Sequence, residues 1–251
     1  MVKQDWKQQT RLVHEGQNRS PHGETAEAMY LTSGFVYESA EQAEARFREE
    51  DQGFIYSRFG NPTVRAFEQR MIALEGTQDA RATATGMAAV TATMMSQLQA
   101  GDHIVAARAL FGSCRYVVET LMPKFGVACT LVDGRDLQAW KAAMRPETKV
   151  LFLETPSNPV LEIVDMQAVA DLAHENGARL VVDNVFATPI LQRPTDFGAD
   201  IVVYSATKHI DGQGRCLGGV VLGDESFIQD QLANFLRQTG PSLSPFNAWV
   251  M

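Results

Sequence analysis

Between residues 81 and 205, short apolar runs alternate with segments of helical period. The runs are "RATAT", "HIVAA", "ACTLVD", "KVLFLE", "RLVVD" and "DIVVYS", and the first four pairs are completed by "GMAAVTATMMSQLQ", "SCRYVVETLMPKF", "LQAWKAAM" and "MQAVADLAHENG". Stretches such as "VLFL" and "LVV" do not alternate apolar with polar residues, so the strands they form must be covered on both faces. The intervening helices supply that cover. The pattern therefore predicts an α/β protein with a mainly parallel sheet flanked by helices. One more helix precedes the first run: Asn61 can cap it, Pro62 suits its first turn, Val64, Phe67, Met71 and Leu74 form an apolar face, and Gly76 ends it.

Residues 1 to about 60 have a different character. "ESAEQAEARFREED" suits a short polar helix, whereas "GFIYSRFGNPT" is aromatic, basic and turn-rich with neither helix nor strand period. Such a segment must lean on something else. The organisation expected is an N-terminal arm over residues 1–60 and an α/β domain over residues 61–251.

In a parallel sheet, ligands lie beyond the carboxyl ends of the strands, so the residues closing each run are the ones to inspect. They are Thr85 and Gly86, Glu154 with "TPSNP", Asp183 with Asn184, and Ser205 to Lys208. Taken alone, Asp183 reads as an N-cap, a salt-bridge partner, or a buried carboxylate facing a cation. The turn "ATGMAA" leads into a helix whose first amides could hold an anion, or its glycine serves close packing. Lys208 alone reads as solvated surface.

Composition narrows the choice. At 251 residues, with 45% apolar and 21% charged side chains, the chain can bury one large core or two modest ones. A net charge of −8 with no basic block argues against general nucleic-acid binding. Three cysteines without C-x-x-C spacing suggest neither a zinc ribbon nor a disulfide framework, and five scattered histidines give no metal site. No apolar run approaches the roughly 20 residues of a membrane helix, and "MVKQDWKQQTRLVHEG" lacks the core of a secretory signal, so a cytoplasmic protein with no membrane partner is expected.

Within these limits the strand ends make one set. Ser205 and Thr207 are short donors that suit a phosphate beside the amine of Lys208, and "DGQGRCLGG" lets the backbone approach closely. A phosphate site, a carboxylate and a lysine at neighbouring strand ends are what pyridoxal 5′-phosphate requires. Lys208 would condense with its aldehyde, and Asp183 would keep its pyridine nitrogen protonated. Asn158 in "ETPSNP" could donate to the ring oxygen, and Arg58 in "YSRFGNPT" suits bidentate phosphate contact beside Tyr56.

With "YSRFGNPT", "TGMAA", "ETPSNP", "VVDN" and "SATKHIDGQG" in place, the chain resembles the cystathionine γ-synthase-like family of pyridoxal-phosphate enzymes of cysteine and methionine metabolism, from about Thr10 onward. The resemblance implies the type I fold of these transferases, like aspartate aminotransferase. It makes Lys208 the cofactor lysine and Asp183 the partner of the ring nitrogen, and places Gly86, Met87, Ser205 and Thr207 around the phosphate. Tyr56 and Arg58 look like the pair that reaches into a neighbouring subunit's site, which implies a homodimer, or a homotetramer of paired dimers, with shared active sites. Within the family, "DGQGRCLGG" and "RQTGPSLSPFNAW" look most like the members that convert O-succinylhomoserine and sulfide to homocysteine and succinate. Related members act on the acetyl ester, use cysteine as donor, or eliminate as γ-lyases.

Two departures from the family pattern stand out. Phe111 occupies the place of a ring-stacking tyrosine, so it can cover the ring but has no hydroxyl for proton transfer, and acid–base work is expected to fall more heavily on Lys208, with Asp183 and Tyr56 as the other catalytic candidates. By the resemblance, a smaller C-terminal domain with a carboxylate-binding arginine would follow, and no arginine within these 251 residues is expected to take that role; Arg215 is the residue expected to meet an acidic substrate tail. Two other classes remain open: a cofactor-domain fragment acting in assembly, and a short-chain dehydrogenase, for which Tyr204 and Lys208 have the Y-x-x-x-K spacing.

Overall fold

The computed structural model describes residues 6–251. The arm contains helix α1 (Gln8–His14) and helix α2 (Ala40–Phe47), the second capped by Ser39, whose hydroxyl accepts from Gln42 N–H. Between and after them the chain lies against the start of helix α3 (Pro62–Glu75): Asn61 Nδ2 donates to Tyr30 O, and Tyr30 N–H donates to Thr63 Oγ1. Asn61 also caps α3 through Oδ1, and Gly76 at φ 84° ends it.

The body then alternates as expected: β1 (Asp79–Thr83), α4 (Gly86–Gln97), β2 (His103–Ala107), α5 (Gly112–Tyr116), β3 (Ala128–Val132), α6 (Leu137–Ala143), β4 (Thr148–Glu154), α7 (Met166–Glu175), β5 (Arg179–Asp183), α8 (Thr188–Leu191), β6 (Ile201–Tyr204), β7 (Gly219–Gly223), α9 (Asn234–Thr239) and α10 (Pro245–Val250). One seven-stranded sheet results, in the order β1-β7-β6-β5-β4-β2-β3. All neighbours from β3 through β6 pair in parallel, and β7 runs antiparallel to both β1 and β6.

The apolar pattern predicts six of these strands; β7 is the addition. Its five residues hold only three apolar side chains between two glycines, too few to stand out from the glycine-rich turn before it. Gly219 is required there, because a Cβ would sit 2.3 Å from Thr85 O. The segment after Phe111 also departs from a single helix. It passes from α5 through a π-helical stretch (Val117–Leu121) into a 3-10 turn (Met122–Phe125), because Pro123 lacks the N–H and clashes with the α-ladder before it.

Successive strand residues enter opposite cores. Leu151 and Leu153 of β4 pack with Phe67 and Met71 of α3, Trp140 of α6 and Val169 of α7, whereas Val150 and Phe152 pack with Val90 and Met94 of α4 and with Val117 and Phe227. Burial on both faces explains the unbroken apolar run, and it holds the strand ends rigidly in one row. Leu151→Ala and Phe152→Ala, which empty opposite cores, are each expected to cost about 3 kcal/mol in urea denaturation. A loss in only one of them would mean that one face is not a packed core.

Candidate active site

At the carboxyl ends of β1, β4, β5 and β6 the structure forms a cavity of about 250 Å³. Every strand end singled out by the sequence contributes to it: Thr85 and Gly86 after β1, Glu154 and Asn158 at β4, Asp183 at β5, and Ser205, Thr207 and Lys208 after β6. Met87, Phe111 and Cys114 complete the walls with Leu217 and the Val185–Phe186 pair.

One end of the cavity is built to receive an anion. Thr85 caps α4 by accepting from Ala88 N–H at 3.0 Å, which leaves the amides of Gly86 and Met87 without an intrahelical acceptor. Ser205 lies so close to this turn that a Cβ on Gly86 would meet its Cβ at 2.5 Å and its Cα at 2.7 Å. Only glycine lets α4 and the β6 end share the space. Thr207 Oγ1 is engaged with Gly218, accepting from its N–H at 3.0 Å and facing its carbonyl at 3.2 Å.

The other end carries two buried carboxyls. Asp183 is 6% exposed and Glu154 3%, and they are register partners on adjacent strands. Asp183 Oδ1 accepts from Val185 N–H at 3.1 Å, while Oδ2 has only the Cys114 thiol at 3.7 Å. Burial pushes the Asp183 carboxyl up to about 6. Burial and the neighbouring Asp183 push Glu154 up to about 8, against the opposing Phe111 N–H that Glu154 Oε2 accepts at 2.6 Å. Burial drives the Cys114 thiol far above its ordinary range, so it stays protonated as a donor. The placement of Cys114 has no signal in the sequence, since it lies on a helix read only as apolar; Glu154 is visible as a strand end, but its bond to Phe111 is not.

Asn158 is held by a closed turn, in which Ser157 N–H donates to Glu162 O, Glu162 N–H to Ser157 Oγ, and Leu161 N–H to Ser157 O. Tyr56 and Arg58 lie outside the cavity: Tyr56 is 41% exposed, and Arg58 donates to Arg237 O and stacks over Tyr56 and Phe59. Phe59, over which Arg58 stacks, borders a wider cleft of about 520 Å³, whose cations are already paired, Arg65 and Arg81 with Glu68 and Asp79, Arg46 with Asp51, and Arg237 with Glu49. Arg215 does not meet the expectation of a substrate-facing cation. Its guanidinium is turned onto Asp211 at 2.9 Å and onto Val250 O, away from the cavity. Tyr204 likewise does not form a helical pair with Lys208, because it ends β6, is buried, and donates to Glu75 Oε2 at 2.5 Å.

Residues 9–251 match the family described as Cys/Met metabolism PLP-dependent enzyme. The chain belongs to that family. It is 54% identical to the O-succinylhomoserine sulfhydrylase of Mycobacterium tuberculosis over 95% of this chain and 59% of the relative, and 49% identical to that of Pseudomonas aeruginosa over 96% and 60%. L-methionine γ-lyases follow, including that of Porphyromonas gingivalis at 40%. Among solved structures, an O-acetylhomoserine (thiol)-lyase from Campylobacter jejuni carrying N′-pyridoxyl-lysine-5′-monophosphate superposes with a TM-score of 0.93 at 26% identity, covering 98% of this chain and 62% of that one. The chain thus spans about three fifths of the length of the relatives it matches. Family membership removes the dehydrogenase alternative. Among the described residues no cluster of metal-ligating side chains occurs, and no helix is long and apolar enough to cross a membrane.

Gly86→Ala should weaken binding of pyridoxal 5′-phosphate by about tenfold or more, read by fluorescence titration, because the added methyl collides with backbone and Cβ atoms of Ser205 rather than a flexible tip. A second outcome follows from Glu75, which burial pushes up to about 7. Between about pH 4.5 and 7 the folded chain holds a proton that the unfolded chain releases, so stability falls as pH rises through that window, by up to about 3 kcal/mol. Glu75→Gln should flatten that part of the profile in urea denaturation measured from pH 4.5 to 7.

Proposed function

We propose that the protein catalyses a γ-replacement with pyridoxal 5′-phosphate, taking O-succinylhomoserine and sulfide to homocysteine and succinate. The observation that carries this reading is the juxtaposition of Asp183, Lys208 and the Gly86–Ser205 anion corner around one cavity. A buried carboxylate whose partners are one amide and one thiol is several kcal/mol unfavourable without a cation, and a protonated ring nitrogen supplies it. The sulfhydrylase relatives, more similar than the γ-lyases, support the choice of reaction.

When bound, the cofactor contributes an aldehyde that captures the substrate amine and a ring that withdraws electrons from the α-carbon. Asp183 holds the ring nitrogen, Asn158 donates to the ring oxygen, and the amides of Gly86 and Met87 with the hydroxyls of Ser205 and Thr207 hold the phosphate. Phe111 covers the ring face and keeps water from it. Lys208 Nζ takes the proton from substrate Cα, passes it on so that the amine is free again, and then takes one from Cβ; the Cγ–O bond breaks and succinate leaves. Sulfide then forms the Cγ–S bond, and Lys208 returns protons to Cβ and Cα. Tyr56 and Arg58 serve the site of a second copy, Arg58 at the phosphate and Tyr56 beside it, in a homodimer or homotetramer. A reducing cytoplasm suits the three unpaired cysteines.

The decisive measurement is borohydride reduction of the chain loaded with pyridoxal 5′-phosphate, followed by peptide mass spectrometry. The adduct is expected on Lys208, lost in Lys208→Ala, with cofactor affinity at least tenfold weaker in Asp183→Asn. No adduct at Lys208 overturns the proposal. Release of succinate with sulfide, and none of acetate from the acetyl ester, is the expected substrate pattern.

A further inference from the structure

The turn that carries Phe111 is tied to the sheet at two points. Phe111 N–H donates to Glu154 Oε2 at 2.6 Å, and Cys114, within the next turn, directs Sγ at Asp183 Oδ2 at 3.7 Å. Because Glu154 and Asp183 are register partners, two neighbouring strand ends grip one short helical turn. Phe111 stands at the N-cap position of α5, where its own side chain can accept nothing. An N-cap normally brings an oxygen to the free amides of the first turn. Here a carboxyl from β4, itself 3% exposed, meets the Phe111 amide.

The side chain of Phe111 lines the cavity and is 42% exposed. With so much of the ring free of packing, its position follows its backbone. We infer that Glu154 is a positioning residue, which fixes the Phe111 backbone, and through it the ring that closes the cavity, by accepting that one N–H. The consequence for ligand binding rests on the cofactor reading of the cavity; the pin itself does not. A carboxyl in either protonation state leaves an oxygen able to accept, and so does a glutamine amide. Burial beside Asp183 pushes the Glu154 carboxyl up to about 8, which makes glutamine the nearer mimic at neutral pH. A role as a second countercharge for the bound ring would instead make glutamine as harmful as alanine.

The test uses the full chain in wild-type, Glu154→Ala, Glu154→Gln and Glu154→Leu forms, the last close to glutamate in size should alanine prevent folding. Residue-resolved hydrogen exchange without cofactor should show the Phe111 amide exchanging about tenfold faster in the alanine or leucine variant, with β4 and β5 amides unchanged, and within about threefold of wild type in the glutamine variant. With pyridoxal 5′-phosphate added, affinity should fall about tenfold and the visible circular-dichroism band of the bound cofactor should change in the alanine or leucine variant, both being restored by glutamine. Unchanged Phe111 exchange in the variants that cannot accept, or a glutamine variant as impaired as alanine, overturns the inference. Should wild-type chain bind no pyridoxal 5′-phosphate, the functional reading fails while the exchange comparison still decides the pin.

Discussion

A carboxylate taken out of water at the end of a strand needs a positive partner, and Asp183 is such a group. Its two accepted contacts, one amide and one thiol, do not balance an ionised carboxylate, and burial holds its proton on to about pH 6. The doubly covered sheet is what makes this environment possible. Val181 and Val182, just before Asp183, pack into opposite cores, so the strand delivers its last side chain to the cavity with no solvent beneath it. The same burial that stabilises the sheet raises the free energy of an unpaired Asp183 carboxylate, and in the proposed reading a cationic ring nitrogen would recover that energy on binding.

Holding the strand ends in register is the work of a second buried network behind the cavity. Tyr204 donates to Glu75 and accepts from Asn184 Nδ2 at 2.6 Å; Asn184 exchanges hydrogen bonds with Gln192, whose Nε2 also reaches Thr155 O at 2.7 Å. Three strand ends are thereby clipped together through residues adjacent to Glu154, Asp183 and Ser205. None of these side chains is charged on a surface or free to move, so the site is preorganised by the scaffold rather than assembled by loops. The arm is built differently. It meets the body through side-chain to backbone hydrogen bonds around Asn61 and leaves Tyr56 and Phe47 largely open.

Much of this was legible in the chain because burial on both faces leaves a plain mark: "VLFL" and "LVV" could only be strands between two helical layers. In a mainly parallel sheet the residues ending its runs lie along one edge, and the ends of β1, β4, β5 and β6 line the cavity, whereas Ala107 and Asp133, which end the runs of β2 and β3, do not. Three features escaped for separate reasons. β7 is short and bounded by glycines, so its apolar signal is diluted. Arg215 has the charge for an acidic substrate tail, but Asp211 four residues earlier captures it, a contact decided by the geometry of the turn. Glu154 and Cys114 act through partners distant in sequence, Phe111 and Asp183, and no local pattern encodes a hydrogen bond across 43 or 69 residues.

Tyr204 and Lys208 show how far a spacing depends on its setting. On a helix, residues four apart share a face, and a lysine there lowers the tyrosine's pKa. At the end of β6 the same two residues part: Tyr204 turns into the core beneath the cavity, where burial and Glu75 drive its hydroxyl upward and away from ionisation, while Lys208 follows in the turn at the cavity's edge. The tyrosine becomes a structural donor, and Lys208 is left lining the cavity. Phe111 lines the cavity where the family pattern has a tyrosine, and it has no hydroxyl proton to give. In the γ-replacement proposed above, neither of these two side chains can supply a proton, so proton movement at the substrate's α- and β-carbons would fall chiefly on Lys208, the amine set between a buried strand and a glycine-rich turn.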